Sequence, residues 1–228
     1  KEKGFCTAEV SVRLQTQELG ILEESEFMPI AERTGSVIKI GLLVFEQVCA
    51  FIAENRLWEK GVRYIGMHLS AVECVQEHLA FDLLQTMQRY HIPFHTIHLE
   101  VTETAVLQTY DTFLKHVRKL MLEGVTFSLG NYGAGFSTLY DLIQFPFDFA
   151  KIDSQLIQTF EQNRKAGIVL KNLIQTMQEL GLEVIADGVE TESQAQQLMN
   201  MGCEYLKGDY YAKPISKQEF LHYCSHRP

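Results

Sequence analysis

Long apolar runs are missing from this 228-residue chain: no stretch approaches the roughly 20 residues of a membrane-spanning helix, and no basic segment followed by an apolar one opens it. The expectation is a soluble domain that does not itself enter a membrane. Positive charge is also scarce. Twenty Lys and Arg stand against 29 Asp and Glu, a formal net charge of −9, which argues against tracking a nucleic-acid backbone, because that task needs a net basic face. A small anionic ligand in a local basic pocket stays open. Cysteines are few, odd in number and scattered, at Cys6, Cys49, Cys74, Cys203 and Cys224, with no C-x-x-C pair. That pattern fits reduced thiols in a cytoplasm better than disulfides or zinc. No low-complexity segment interrupts the chain and nothing in the sequence divides it, so one domain is expected, of a size normal for an α/β barrel.

What is present is a 46% hydrophobic chain in which strand and helix patterns alternate. Ala8 to Leu14 alternates and reads as a strand with Glu9, Ser11 and Arg13 on one face. A polar loop, a short helical turn over Glu26 to Gly35 and a helix over Val37 to Glu54 follow. Strand and helix then repeat: Tyr64 to Ser70 and Val75 to Tyr90, Thr96 to Thr102 and Thr109 to Leu122, then Thr126 to Leu129 and the helix STLYDLIQF. After these come Phe149 to Asp153 and Arg164 to Leu180, Glu183 to Asp187 and Glu192 to Met199, and Tyr205 to Gly208 with the closing helix Lys217 to Ser225. Such alternation implies parallel strands joined by right-handed crossovers. The seven strands are one short of the eight of a closed barrel, and the deficit lies most simply at the amino end.

The segment VTFSLGNYGAGFSTL, Val125 to Leu139, is the organising stretch: a strand runs into a glycine-rich turn, where Gly130, Gly133 and Gly135 allow positive φ and Ser137 can cap a helix. An ordinary βα loop has the same pattern, so the case for function rests on the neighbouring strand ends. In an α/β barrel the working residues gather there. In order, those ends carry Glu9 and Arg13, His68 and Ser70, Glu100 and Glu103, Gly130 and Asn131, Lys151 and Asp153, Asp187 and Glu190, then Lys207. Charges on otherwise apolar strands must pair with one another, bind a metal or face a ligand. His91, His95 and His98 read as loop and surface residues, Tyr132, Phe136 and Tyr140 as packing, and Glu32 and Arg33 as a solvated helix end.

Taken together, the motifs resemble an EAL domain, the family whose active members hydrolyse cyclic di-GMP to linear pGpG. EVSVRL at Glu9 to Leu14 stands where the family has EALLRW, and FMPIAERTG at Phe27 to Gly35 is similar to FIPLAEETG. MHLS at Met67 to Ser70 stands for VNLS, LEVTE at Leu99 to Glu103 for LELTE, and LGNYGAGFSTL at Leu129 to Leu139 for a strand followed by DDFGTGYSSL. AKID at Ala150 to Asp153, IADGVET at Ile185 to Thr191 and LKGDYYAKP at Leu206 to Pro214 stand for LKID, IAEGVET and QGYLFSKP. The resemblance implies a modified TIM-like (β/α)8 barrel whose antiparallel first strand is missing here. It also implies two magnesium or manganese ions, held by carboxylates and one asparagine, that activate a water against a phosphodiester.

Several family positions are altered. Gly130 and Asn131 replace the paired aspartates of DDFG, His68 replaces the metal-binding asparagine, Asp187 shortens a glutamate, Lys207 replaces a glutamine, and the signature triplet reads EVS. Glu9 and Glu100 correspond to metal ligands, Lys151 to the lysine that orients the attacking water, and Glu103 to a residue that steadies a loop. Arg13, Asp153 and Glu190, with the new Lys207, correspond to positions that contact or shape the ligand. The expectation is therefore a degenerate member, with Glu9, His68, Glu100 and Asp187 a vestigial metal set and Lys151 a vestigial catalytic residue. No cofactor is expected unless the site is active, in which case the ion would be magnesium or manganese. The implied role is a cyclic di-GMP receptor or regulatory interaction module, with a nucleotide-free scaffold or an active phosphodiesterase as alternatives. Pairing with a second copy or another signalling domain is expected, and residues 1–228 read as one EAL-type domain of a larger bacterial protein, on the cytoplasmic side.

Overall fold

The computed structural model describes residues 7–132 and 145–225, with the side chains at 103–110, 131 and 225 outside that description. The glycine loop beyond Tyr132, the Ser137 cap and the helix after it therefore lie outside the described residues, as do Phe136 and Tyr140. One sheet takes seven strands in the order β1 (Thr7–Glu9), β4 (Tyr64–Leu69), β5 (Ile97–Thr102), β6 (Thr126–Tyr132), β7 (Phe149–Ile152), β8 (Glu183–Ala186) and β9 (Tyr205–Leu206). The pairings β1 with β4, β6 with β7, β7 with β8 and β8 with β9 are parallel, as crossover helices require. A two-stranded antiparallel hairpin, β2 (Arg13–Thr16) and β3 (Gly20–Glu23), stands apart from that sheet.

The hairpin corrects the first expected strand. The ladder with β4 ends when Val10 N–H donates to Gly66 O at 2.9 Å, and the alternation beyond it belongs to β2. Gly20, at φ 73°, turns the hairpin, and the Thr16 hydroxyl accepts from Leu19 N–H at 2.9 Å. Glu9 and Arg13 therefore sit on different sheets.

The chain gathers into two compact units. The first comprises residues 1–100, 105–126 and 216–228, the second 101–104 and 127–215. In the first, α1 (Glu24–Thr34) begins at a capping box between Glu23 and Glu26 and ends at Gly35, φ 72°. The α2 helix (Val37–Asn55) buries Phe45, Val48, Cys49 and Ile52, the i, i+3, i+4, i+7 stripe that its sequence displays. The helix expected over Val75 to Tyr90 is two helices, α3 (Ala71–Cys74) and α4 (Leu79–Arg89). Its early start comes from Ser70 and Glu73, a capping box in which each side chain accepts from the other's backbone N–H. His98 is buried, stacked at 4.6 Å on Tyr64 and bonded to the Thr126 hydroxyl at 2.9 Å, so its expected surface position is corrected. His95 is exposed, as are Glu32 and Arg33. The α5 helix (Glu103–Leu122) begins earlier than the sequence pattern indicates, and α9 (Lys217–Ser225) closes the chain.

In the second unit, Phe127, Leu129, Phe149, Ala150, Ile152, Val184 and Ala186 are almost fully buried, the continuous apolar lining expected of parallel strands covered on both faces. The Asp148 carboxylate accepts from Phe127 N–H at 2.9 Å, and Glu204 accepts from Val184 N–H at 2.8 Å. Gly130 and Asn131 continue β6 rather than opening a loop, and Gly130 carries no positive φ; the register against β7 shifts between Leu129 and Tyr132 instead. Tyr132 is buried packing. The short helix α6 (Ser154–Thr159) follows β7, then α7 (Arg164–Glu179) and α8 (Glu192–Met201) cover the strands. No helix among the described residues is long and apolar enough to cross a membrane.

Candidate functional site

Two clusters occupy the strand ends, one in each unit. In the first unit, β1 ends at Glu9, which pairs in register with Gly66. His68 follows two residues along β4, and Glu100 comes from β5, the next strand over. Neighbouring parallel strands thus deliver three side chains to one place. His68 Nε2 lies 2.8 Å from Glu9 Oε1 and 3.5 Å from Glu100 Oε1, and all three donor atoms fall within 4.8 Å of one another. Glu100 is buried, with 7% of its side chain exposed, while His68 keeps 47%. His68 Nε2 thus faces both carboxylates, donating to or accepting from them according to its tautomer. On the far side of the ring, His68 Nδ1 is 4.0 Å from Glu24 Oε1, and Glu24 accepts from Val12 N–H at 3.4 Å.

The second unit holds the lysines. Buried Lys151, on β7, places Nζ 3.1 Å from Asp187 Oδ2, just beyond β8. Lys207, after β9, places its own Nζ 3.3 Å from the same oxygen. Sheet order explains the convergence, because β7, β8 and β9 are consecutive neighbours although the three residues are far apart in sequence. One carboxylate oxygen thus faces two ammonium groups, of which that of Lys207 is the more solvent-exposed.

The other expected site residues are more dispersed. Arg13 sits exposed on the hairpin, its Nε within 3.1 Å of both oxygens of Glu23. Asp153 caps α6 by accepting from Gln155 N–H at 2.9 Å, and exposed Glu190 accepts from Gln158 Nε2 at 3.2 Å. Glu103 opens α5, with its side chain outside the described residues, as is that of Asn131. Gly130 is buried in β6 and offers no ligand atom. Sequence reasoning missed Glu24 as a neighbour of His68 and Glu73 as a buried carboxylate. Burial raises the Glu73 pKa, against the two hydrogen bonds from Ser70 that lower it. The S-x-x-E pattern at Ser70 to Glu73 was the available signal for the latter.

Comparison with known proteins shows the family. The EAL domain profile matches residues 1–214, and the chain belongs to that family. It is 29% identical over its full length to the signaling protein YkoW of Bacillus subtilis, spanning 28% of that protein. It is 27% identical over 97% of its length to the cyclic di-GMP phosphodiesterase RocR of Pseudomonas aeruginosa, spanning 56% of it. Among solved structures, a PaMucR phosphodiesterase in complex with c-di-GMP superposes with a TM-score of 0.84 at 28% identity, over 93% of this chain and 86% of that one. The α/β fold of the TIM-like barrel class is thereby established.

A two-magnesium centre does not fit the described donors. Each ion of such a pair takes about six oxygen ligands in part from protein carboxylates, with a carboxylate bridging the two. Three side chains converge in the first unit, one of them a nitrogen donor that magnesium disfavours. Gly130 contributes nothing, and the Asp187 carboxylate is engaged by two ammonium groups.

Proposed function

We propose that this EAL domain binds cyclic di-GMP and returns it intact, acting as a receptor or regulatory interaction module in cyclic di-GMP signalling. Ligand identity is supported by relatives named cyclic di-GMP phosphodiesterases and by the similar PaMucR domain in complex with c-di-GMP. The observation that carries the loss of catalysis is the Lys151–Asp187–Lys207 cluster. At a position where the resemblance implies a metal ligand, a carboxylate is held by two cations, one of which replaces a neutral glutamine.

In this reading a phosphate oxygen of the nucleotide takes its charge-assisted hydrogen bond from Lys207, and Lys151 supplies positive field from within. Lys151 keeps its place in the fold but has no metal-bound water to orient. Asp153 and Glu190, of the same unit, shape the ligand's surroundings. As a module within a longer protein, the domain would report nucleotide occupancy to a second copy or to another signalling domain.

The test is calorimetric titration of the wild type and of Lys207→Gln with cyclic di-GMP. A charged hydrogen bond is worth about 1.5–3 kcal/mol, so the variant should bind about 10- to 100-fold more weakly. Equal affinity in the two proteins would remove Lys207 from the binding site, and absence of binding in the wild type would leave the nucleotide-free scaffold as the reading.

A further inference from the structure

We propose that the cavity between α2, α4 and the strands β4 and β5 is a binding site for a small aliphatic primary amine in its protonated form, with the Glu73 carboxylate as its counter-ion. The cavity lies wholly within the first unit and measures about 40 Å³. One water needs roughly 10–15 Å³ on this measure, so a ligand of about three non-hydrogen atoms has room. Phe45, Leu69, Leu79 and Leu83 give it a buried apolar wall. Leu42, also in the lining, is exposed, which brings one side of the cavity to the surface.

One buried acid enters this apolar space. Glu73 is 8% exposed, and its Oε2 accepts from Ser70 N–H at 2.9 Å and from the Ser70 hydroxyl at 2.7 Å. Oε1 has no hydrogen-bond or ion-pair partner among the described residues. That oxygen lies against Gly41 of α2, where a Cβ would overlap the carboxylate. Glycine inside a helix weakens it, and here it admits the acid. Gly41 and Glu73 both line the cavity, so Oε1 stands at its wall.

The surroundings favour a cation over a neutral donor. No Lys or Arg is among the described residues that line the cavity, and Asp82 brings a second carboxylate, with no ion pair among those residues. The other charge that acts on Glu73 is that of Glu32, also negative. His68 borders the cavity, but its Nε2 faces Glu9 and Glu100. An ionised carboxylate buried without positive charge is costly, and burial accordingly raises the Glu73 pKa. An ammonium N–H donated to Oε1 offsets that cost and leaves a short alkyl chain against the apolar wall.

The proposal is independent of the nucleotide reading, and its test uses no nucleotide. The full chain, labelled with ¹⁵N, is titrated at neutral pH with ethylammonium chloride while amide shifts are recorded. Ethanol, a neutral molecule of the same size, and tetramethylammonium chloride, a cation without N–H, are titrated in parallel. The best ligands of three non-hydrogen atoms reach a Kd of about 1 mM, so ethylammonium should saturate between about 1 and 30 mM, moving the Gly41, Gln76 and Leu79 amides. Ethanol and tetramethylammonium should bind at least about 10-fold more weakly. Glutamine at position 73 can still close the capping box with Ser70, so Glu73→Gln should fold and lose about 10-fold or more in affinity for ethylammonium. No saturable shift below about 100 mM, equal affinity for ethanol, or an unchanged titration in Glu73→Gln would overturn the proposal.

Discussion

Asp187→Asn isolates the charge on which the lysine cluster depends. The side chains have the same shape, so the substitution changes charge with little change of volume. At 3.1 Å, Lys151 and Asp187 attract by about 5 kcal/mol at the effective dielectric of 20 that suits partly buried pairs. Desolvation offsets much of this, and removing one partner of a buried pair typically costs about 3–5 kcal/mol. Asp187 retains 27% of its side-chain exposure, so the cost falls below that range, at about 2–3 kcal/mol. Lys207→Gln should cost about 1 kcal/mol or less, because 43% of the Lys207 side chain is in solvent. Urea denaturation measures both: Asp187→Asn should lower the midpoint with an unchanged slope, and by more than Lys207→Gln does. A loss within about 0.5 kcal/mol for Asp187→Asn, or a loss no larger than that of Lys207→Gln, would refute the electrostatic reasoning.

Three further outcomes are expected. Gly208 has φ 152° and a Cβ there would meet the Val189 backbone, so Gly208→Ala should destabilise by about 2–4 kcal/mol, read as a fall in denaturation midpoint. The Glu73 pKa lies above its ordinary 4.5, chiefly through burial. Its contribution to stability is therefore complete below about pH 4.5 and is lost as the pH rises through the higher native value. Glu73→Gln should accordingly gain on the wild type as pH rises from 4.5, in paired unfolding curves; a constant difference across that range would contradict the assignment. Burial pushes the thiols of Cys49, Cys74 and Cys203 up to about 12, so none should react with a thiol reagent at pH 8 until the chain unfolds.

The fold was legible wherever period and position coincide. The stripe of α2 and the seven strand segments could be read from residue spacing because tertiary packing reinforces the local pattern there. Where two structures share one period, the reading failed: alternation runs from Ala8 to Leu14, but a ladder ending at Val10 passes it to a hairpin. Gly130 failed for the opposite reason, since glycine in a strand with shifted register has the same sequence appearance as glycine opening a turn. His98 looked like one of a surface cluster because nothing local shows that Tyr64 and Thr126 enclose it. The strand ends that carry Glu9, His68, Glu100, Lys151, Asp187 and Lys207 were legible through the ordered motifs, while the contacts among these side chains were not. That one Asp187 oxygen serves both Lys151 and Lys207 follows from β7, β8 and β9 being adjacent, which is a property of the sheet.

The central claim is that the lysine cluster binds nucleotide without turning it over. The most direct measurement is titration of the domain with cyclic di-GMP, with magnesium and again with chelator, followed by chromatography of the recovered nucleotide. Micromolar or tighter binding in both buffers with the nucleotide returned intact is the predicted result. Metal-dependent appearance of pGpG, abolished in Glu9→Gln, would contradict it and make the domain an active phosphodiesterase.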